Sequence, residues 1–580
     1  MLRTHTCGEL KKKDIGKKAS LCGWAHSRRD HGGVIFVDLR DRYGLTQIVF
    51  DPSHSKETHA AAEKIGREFV LKAEGKVRKR MEGMVNEKLA TGEIELLVDK
   101  LEIITAAKTP PIEINDGVVA NDEIRLKYRY LDLRRPVMQK HLVFRNEVTK
   151  TIREYFDKKG FIEVETPMLI ASTPEGARDY VVPSRLHKGK FYALPQSPQL
   201  YKQILMIAGL DRYFQIARCL RDEDLRQDRQ PEHTQIDLEM SFVTKEDVME
   251  TVEGMYREVF RKLMKTELKK FPVITYDEAM EKYGTDKPDL RIELELVDVT
   301  EIAKGSEFNV FKEAETVKCL PVPKDIGRNE IDKLIEWAKG QGAKGLAWMK
   351  VTKTGLESSI TKYFNSEVQK KLLQKTKAKN GVIFFVADKK TKANEVLSKL
   401  RDKLGKDLGR INEKEFRFCW VVDFPMFEWK DDEQKWDFSH NPFSMPKKEH
   451  IALLEKSPEK VHAELYDAVL NGTELGSGAI RINSPEMQEK VFGVVGMTKE
   501  KAERRFGFLL EAYKYGAPVH GGMGLGLDRL VAMMQGFNDI REVIAFPKTK
   551  AAENPMDGSP SDIDEKHMRE LHITIKDKQT

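Results

Sequence analysis

Glycine at every second position of a strand-like run, followed at once by an arginine on an apolar helix, constrains this chain more than any other feature. In His520-Gly521-Gly522-Met523-Gly524-Leu525-Gly526, the residues Gly522, Gly524 and Gly526 fall on one face, because successive strand side chains point to opposite sides. Glycine weakens a strand, so a bare face needs a reason, and a flat floor for a base or ribose is one. Leu527, Leu530, Val531 and Met534 then recur at helical spacing and place Asp528 and Arg529 in a first helical turn. A second arginine, Arg221, ends the extended run 213–220 and opens a charged loop that closes into the run 234–240. Arg221 shares its face with Gln215, Ala217 and Cys219, while Gln235, Asp237 and Glu239 oppose Ile236, Leu238 and Met240. One side of this hairpin is therefore polar. An arginine fork bonds two phosphate oxygens at once, so the pair is a candidate triphosphate clamp built without a Walker-type loop. Either arginine alone reads more simply as a structural ion pair, and a glycine strand alone as close packing. Their conjunction carries the inference.

The chain has 580 residues, too many for one core, so about three domains are expected. A formal charge of +6, from 99 basic and 93 acidic residues, means that nucleic-acid binding rests on local patches rather than bulk charge. Cys7, Cys22, Cys219, Cys319 and Cys419 form no C-x-x-C pair, which argues against disulfides and zinc. No signal peptide or long apolar stretch is present, so a cytoplasmic protein without membrane association is expected.

Residues 1–105 contain five strand-like runs, 20–26, 34–40, 45–50, 69–77 and 94–104, with a helical patch at 59–69. That order fits an OB-fold, whose second and third strands commonly bind oligonucleotides. Those strands offer Phe36 and Gln47, with Arg28 and Arg29 just before them. Phe36 reads equally as a base-stacking platform and as a core residue. Residues 106–141 read as a linker, closed by a basic stretch from Arg125 to Arg135 that faces either RNA phosphates or solvent. Residues 288–415 interrupt the glycine and arginine motifs. Helices at 330–339 and 391–404 and strands at 346–351 and 382–387 make this an α+β insertion without a catalytic constellation.

Arg221-Asp222-Glu223 at a strand end resembles motif 2 of the class II aminoacyl-tRNA synthetases, and Gly524-Leu525-Gly526-Leu527-Asp528-Arg529 resembles their motif 3. A helix at 142–159 carries Phe144, Val148, Ile152 and Phe156 four apart, with Gly160 as its cap and Pro167 beyond, and resembles motif 1. The segments 172–180, 194–202 and 221–226 are similar to the bacterial, aspartate-specific branch. The resemblance runs nearly from end to end.

It implies an α/β multidomain (α+β) fold: an OB-fold barrel at 1–105 for the anticodon, a hinge at 106–141, and an antiparallel-sheet catalytic domain at 142–287 and 416–580. The insertion at 288–415 is similar to a domain shared with a tRNA-dependent amidotransferase. The implied substrates are ATP, L-aspartate and tRNA(Asp), with Mg²⁺ and no organic cofactor, in a homodimer built on motif 1. On the ATP side the resemblance points to Arg221, Asp222, Glu223, Gln230, Glu474, Gly526, Leu527, Asp528 and Arg529, with Glu474 and Asp467 for Mg²⁺. On the aspartate side it points to Glu175, Ser197, Gln199, Lys202, Arg221, Asp237, His440 and Arg481. Phe36 would stack on the middle anticodon base, Gln47 would read the first, and Arg28 would lie beside them. His31 and Gly83 resemble members that also charge tRNA(Asn), since histidine donates or accepts according to tautomer. Glu474 and Arg481 are seven apart, which in a regular strand aims them at opposite faces, so a bulge is expected within Gly476-Ser477-Gly478. Two rivals remain: a sister synthetase for asparagine or lysine, which would lack a cation at 481, and a non-catalytic RNA-binding paralogue, which would have lost Arg221, Arg529 or the acidic residues.

Overall fold

The computed structural model describes residues 1–117, 120–173 and 176–576. Two compact units make up the chain. One comprises Met1–Asn146, Leu225–Gln230 and Asp539–Ile563, and the other Glu147–Asp224, Pro231–Asn538 and Asp564–Thr580. Among the described residues, no helix is long and apolar enough to cross a membrane.

The first unit contains a closed barrel of β1 (Lys18–His31), β2 (Val34–Asp41), β3 (Gly44–Phe50), β4 (Val70–Lys79) and β5 (Ile94–Thr105), in the order β1-β2-β3-β5-β4. Alternation builds it. Leu21, Ala25, Ile35, Val37, Leu39, Ile48, Leu71 and Leu96 point inward and are buried, each large one contributing about 1.5–3 kcal/mol. The expected strands match to within a few residues. Helix α1 (Lys56–Ala62) comes earlier than 59–69 because Ser55 caps it, its side chain accepting from Thr58 N.

The stretch expected as a linker with a basic outer face is corrected by the structure. It folds into two short helices, Asp122–Lys127 and Arg129–Asp132, and turns its arginines inward. Arg129 Nη1 and Arg135 Nη1 donate to Asp132 at 2.6 and 2.9 Å, while Arg125 clasps Glu542 through two bonds of 2.9 Å. Arg129 also donates to the carbonyls of Arg541, Ile544 and Ala545. A buried guanidinium requires neutralisation and a full set of acceptors. Here the partner Glu542 lies 417 residues along the chain, beyond the reach of any local pattern.

Helix α2 (Pro136–Lys158) starts at a proline rather than at 142, because the missing N–H is harmless in a first turn. Gly160, at φ +76°, ends it as expected. Phe156 is fully buried between Phe161 and Phe214, with ring centroids 4.9 and 5.0 Å away, and such pairs add about 0.5–1.5 kcal/mol each.

The second unit is organised by an eight-stranded sheet. Its strands are β6 (Ile162–Glu163), β7 (Arg212–Leu220), β8 (Glu232–Ser241), β9 (Val273–Thr275), β10 (Phe418–Val422), β11 (Leu465–Leu470), β12 (Thr473–Ile480) and β13 (His520–Gly526), in the order β9-β10-β11-β12-β13-β8-β7-β6. Helix α3 (Gln199–Ile207) packs on β8. Between β9 and β10 lies the insertion, a five-stranded sheet in the order Val297–Asp298, Thr316–Val322, Gly381–Asp388, Ala347–Thr352 and Gly355–Glu357. Arg328–Gly340 and α4 (Lys390–Asp407) bury their apolar stripes on one face of it, and Ser366–Thr376 on the other. The second strand escapes a sequence reading because Lys318 and Pro321 interrupt its apolar run. Lys318 is nevertheless fully buried, donating to the carbonyls of Met280 and Glu281.

Candidate active site

Arg221 continues β7, and its N–H donates to Pro231 O at 2.8 Å, just before β8 begins. On the other side of β8 the register sets Gln235 opposite Gly526, so β13 ends along the same edge of the sheet. Helix α5 (Leu527–Met534) starts there, tied down by Asp528, whose Oδ2 accepts from Thr234 N at 2.7 Å. Arg529 Nη1 donates to Glu474 O at 3.0 Å. Arg221 is half-buried, and its guanidinium makes no hydrogen bond or ion pair with any described residue. Both arginines bear on one neighbour: burial first, then the charges of Arg221, Arg529 and Arg218, push the His233 imidazole down to about 3. A positive, anion-seeking edge results. Asp222 forms a short bridge with Arg178, Nε to Oδ2 3.6 Å, and Glu223 is half-buried.

The expected bare glycine floor is only partly present. Facing residues of β8 and β13 share a side, and a Cβ on Gly522 would lie 2.0 Å from Glu239 Oε2, one on Gly524 2.0 Å from Gln235 Nε2. Those two glycines make room for the protein's own side chains. Gly526 is less crowded: a Cβ there would meet Leu475 O at 3.5 Å and the Arg529 side chain at 3.7 Å, both ordinary contacts.

Behind this edge lies a buried charge network. Arg481 is 3 % exposed; its Nε and Nη2 donate to Glu239 at 2.9 and 3.3 Å, and Nη2 also reaches Gly522 O at 3.3 Å. Lys202, on α3, spends its ammonium on Asp237 Oδ1 at 2.9 Å, Leu238 O at 3.3 Å and Glu239 Oε2 at 3.2 Å. Burial opposes ionisation of Glu239, but Arg481 and Lys202 outweigh it and hold its carboxyl below the usual range. Asp237 responds oppositely: burial and the adjacent Glu239 raise it, against Lys202, to about 6. Within this network Asp237 Oδ2 and Gln199 Nε2 are buried without a hydrogen-bond partner, and the Arg481 bonds to described residues use only Nε and Nη2. Unsatisfied buried groups at one locus are the signature of a missing polar ligand. Ser197 Oγ accepts from Gln199 N at 3.2 Å, and Glu175 lies outside the described residues. Glu239 was missed as a site residue, although its strand parity with Asp237 signals it.

Asp467 on β11 and Glu474 on β12 come onto one side of the hairpin, Asp467 opposite Ser477 and Glu474 opposite Val469. The bulge that brings them together falls one residue before the expected glycine-serine-glycine run: the register steps from Ala468↔Gly476 to Val469↔Glu474, so Leu475 is the extra residue. Burial and then Glu474 raise the Asp467 carboxyl well above its ordinary value, and its Oδ1 is buried without a hydrogen-bond partner. Two carboxylates in mutual repulsion with an orphaned oxygen suit a hard divalent cation that takes its remaining ligands from phosphate and water. His440 packs edge-on against Phe424 at 5.0 Å and is lowered by burial, with Glu474 opposing.

In the first unit, Phe36 is half-buried on the outside of the barrel between the inward Ile35 and Val37, which removes the core reading. Gln47 is already engaged, donating to Glu95 Oε2 at 2.9 Å and accepting from Arg29 at 3.4 Å. Arg28 and His31 are exposed on the β1–β2 hairpin, and Gly83, at φ +78°, lies in an exposed loop. Gln230 also belongs to this unit, where its amide makes two bonds with the Lys548 backbone, at 2.7 and 3.3 Å.

Residues 121–550 match the family described as tRNA synthetases class II (D, K and N), and residues 19–104 match an OB-fold nucleic acid binding domain. The chain is 52% identical over 588 residues to a Treponema denticola protein named aspartate–tRNA(Asp/Asn) ligase, covering 100% of both. It is 52% identical over 581 residues to a protein of the same name from Caldanaerobacter subterraneus subsp. tengcongensis, covering 99% of this chain and 98% of that one. In fold it is similar to asparaginyl-tRNA synthetase from Pyrococcus horikoshii complexed with asparaginyl-adenylate, with TM-score 0.59, 21% identity, and coverage of 95% of this chain and 99% of that one.

Proposed function

This chain belongs to the class II tRNA synthetases (D, K and N), and we propose that it is an aspartate–tRNA ligase. The aspartate carboxylate attacks the α-phosphorus of ATP, forming aspartyl-adenylate and releasing pyrophosphate. The terminal ribose hydroxyl of tRNA then takes the aspartyl group and AMP leaves. Neither step needs a protein nucleophile, so catalysis is positioning and neutralisation of charge. Arg221 binds the α-phosphate and the attacking carboxylate, Arg529 the γ-phosphate and Glu223 the adenine. Mg²⁺ fits Asp467 and Glu474, and when bound it supplies neutralisation of the triphosphate.

One observation carries the choice of aspartate: the buried Arg481 keeps Nη1 unspent after Glu239 has taken Nε and Nη2. An aspartate side chain completes it. Asparagine would leave that donor beside a neutral amide, while Asp237 Oδ2, the Gln199 amide oxygen and Ser197 accept from the ammonium. Lys202 is then a counter-charge that sets Asp237 and Glu239 in place. A sister enzyme for asparagine or lysine is disfavoured by the same arginine.

The barrel reads the anticodon through Phe36, Gln47 and Arg28. Catalysis belongs to 142–287 with 416–580, and α2 with Pro167 forms a homodimer interface. The exposed His31 and Gly83 support a relaxed third-base contact that accepts tRNA(Asn) as well as tRNA(Asp). Charging both transcripts with aspartate tests this: the expected result is aspartyl ester on both, and none on tRNA(Asn) refutes the relaxed reading alone.

A further inference from the structure

The insertion is spliced onto the tip of the hairpin that bears the carboxylate pair. Asn471 (φ +50°) and Gly472 (φ +81°) form the turn between β11 and β12, flanked by Asp467 and Glu474. Where the chain leaves the insertion, it grips this turn: Asn471 Oδ1 accepts from Arg417 N at 2.8 Å, and Asn471 Nδ2 donates to Glu415 O at 2.9 Å. Where the chain enters, Asp289 packs on the turn so closely that a Cβ on Gly472 would lie 3.3 Å from Asp289 Cβ.

That entering segment is itself held by α4. Arg401, fully buried, donates from Nη2 to Asp289 O at 2.8 Å and Ile292 O at 2.6 Å, and from Nε to Leu294 O at 2.7 Å, with its guanidinium over the Tyr283 ring at 4.9 Å. Gly284 (φ +69°) presses against the same helix, where an added Cβ would meet Asn394 O at 2.5 Å. Arg291 clamps the Asp289 carboxylate at 3.0 and 2.7 Å. A single guanidinium with three backbone acceptors is a rigid fastener, and packed interiors transmit displacement rather than absorb it.

We infer that the insertion is a strut for the active-site hairpin, with Arg401 and Asn471 as positioning residues that set the spacing of Asp467 and Glu474. The inference rests on the proposed reading of those two carboxylates as ligands of the divalent ion on ATP. Groups that orient metal ligands typically cost about 10–100-fold in metal affinity when removed.

The test is Mn²⁺ binding, followed by electron paramagnetic resonance in the presence of α,β-methylene ATP, on the full-length protein. Arg401→Met is expected to weaken Mn²⁺ binding about tenfold, with the KM for aspartate unchanged and with partial recovery in Arg401→Lys. Asn471→Asp, which keeps the side chain's shape and loses one donor, is the second variant should Arg401→Met not fold, and it is expected to act alike. A purely structural role would lower Tm and raise every KM together. Native Mn²⁺ affinity in folded Arg401→Met and Asn471→Asp, with loss in Asp467→Asn, overturns the strut. Unchanged Mn²⁺ affinity in Asp467→Asn itself overturns the carboxylate reading, and the strut with it.

Discussion

Arg481 and Glu239 form a two-bond ion pair at 2.9 and 3.3 Å in the interior of the second unit, and the pair leaves one guanidinium nitrogen for a ligand. Removing one partner of such a pair strands the other, at about 3–5 kcal/mol. Arg481→Gln is therefore expected to lower kcat/KM for aspartate by roughly 10²–10³-fold, with the KM for ATP nearly unchanged. Steady-state pyrophosphate exchange separates the two. A matching rise in the KM for ATP would place Arg481 at the nucleotide instead.

Asp237 carries the pH dependence. Burial, with Glu239 beside it, pushes its carboxyl up to about 6 against the pull of Lys202, and the neutral form carries no charge to pair with an ammonium group. The KM for aspartate is expected to rise as pH falls through about 6. Stability runs the other way: a folded value above the unfolded 3.8 means that the contribution of this group is full below pH 3.8 and is lost as pH rises through about 6. Flat KM values from pH 7.5 to 5 would contradict the assignment of Asp237 to the ammonium group.

Arg221 bears no structural load among the described residues, so Arg221→Ala should keep its melting temperature while losing rate. A fixed donor aimed at developing charge is worth about 10²–10³ in kcat. Calorimetry with single-turnover adenylate formation checks both halves, and a large fall in Tm would recast Arg221 as structural.

Phe36 stands outside the barrel core, so Phe36→Ala should spare the fold and the pyrophosphate exchange. Loss of a stacked base costs about 1–3 kcal/mol in tRNA affinity. Filter binding of tRNA(Asp) measures it, and undiminished affinity would remove Phe36 from the interface.

The arginines around Asp132 serve the fold. Asp132→Asn should destabilise by about 3–5 kcal/mol without changing the salt dependence of tRNA binding. A shallower salt slope would return these arginines to the RNA.

What could be read in advance follows the range of the interactions. Strand parity around Arg221 and along His520–Gly526 placed the hairpin, the helix that follows it and both arginines, because those patterns are local. The destinations of Arg125, Lys202 and Arg481 were not legible, since Glu542, Asp237 and Glu239 reach them only after folding. The same holds for the glycine floor. A bare strand face is visible in sequence, whereas the Glu239 and Gln235 side chains that fill it come from the neighbouring strand. The bulge was foreseeable from the spacing of Glu474 and Arg481, but its place at Leu475 was set by pairing with β11.

The most direct measurement is exchange of labelled pyrophosphate into ATP by the purified protein with each amino acid in turn. Exchange with aspartate and none with asparagine is expected from a nucleotide edge built on Arg221 and Arg529 beside the charge-reading Arg481. Absence of exchange with aspartate, or equal exchange with asparagine, would contradict it.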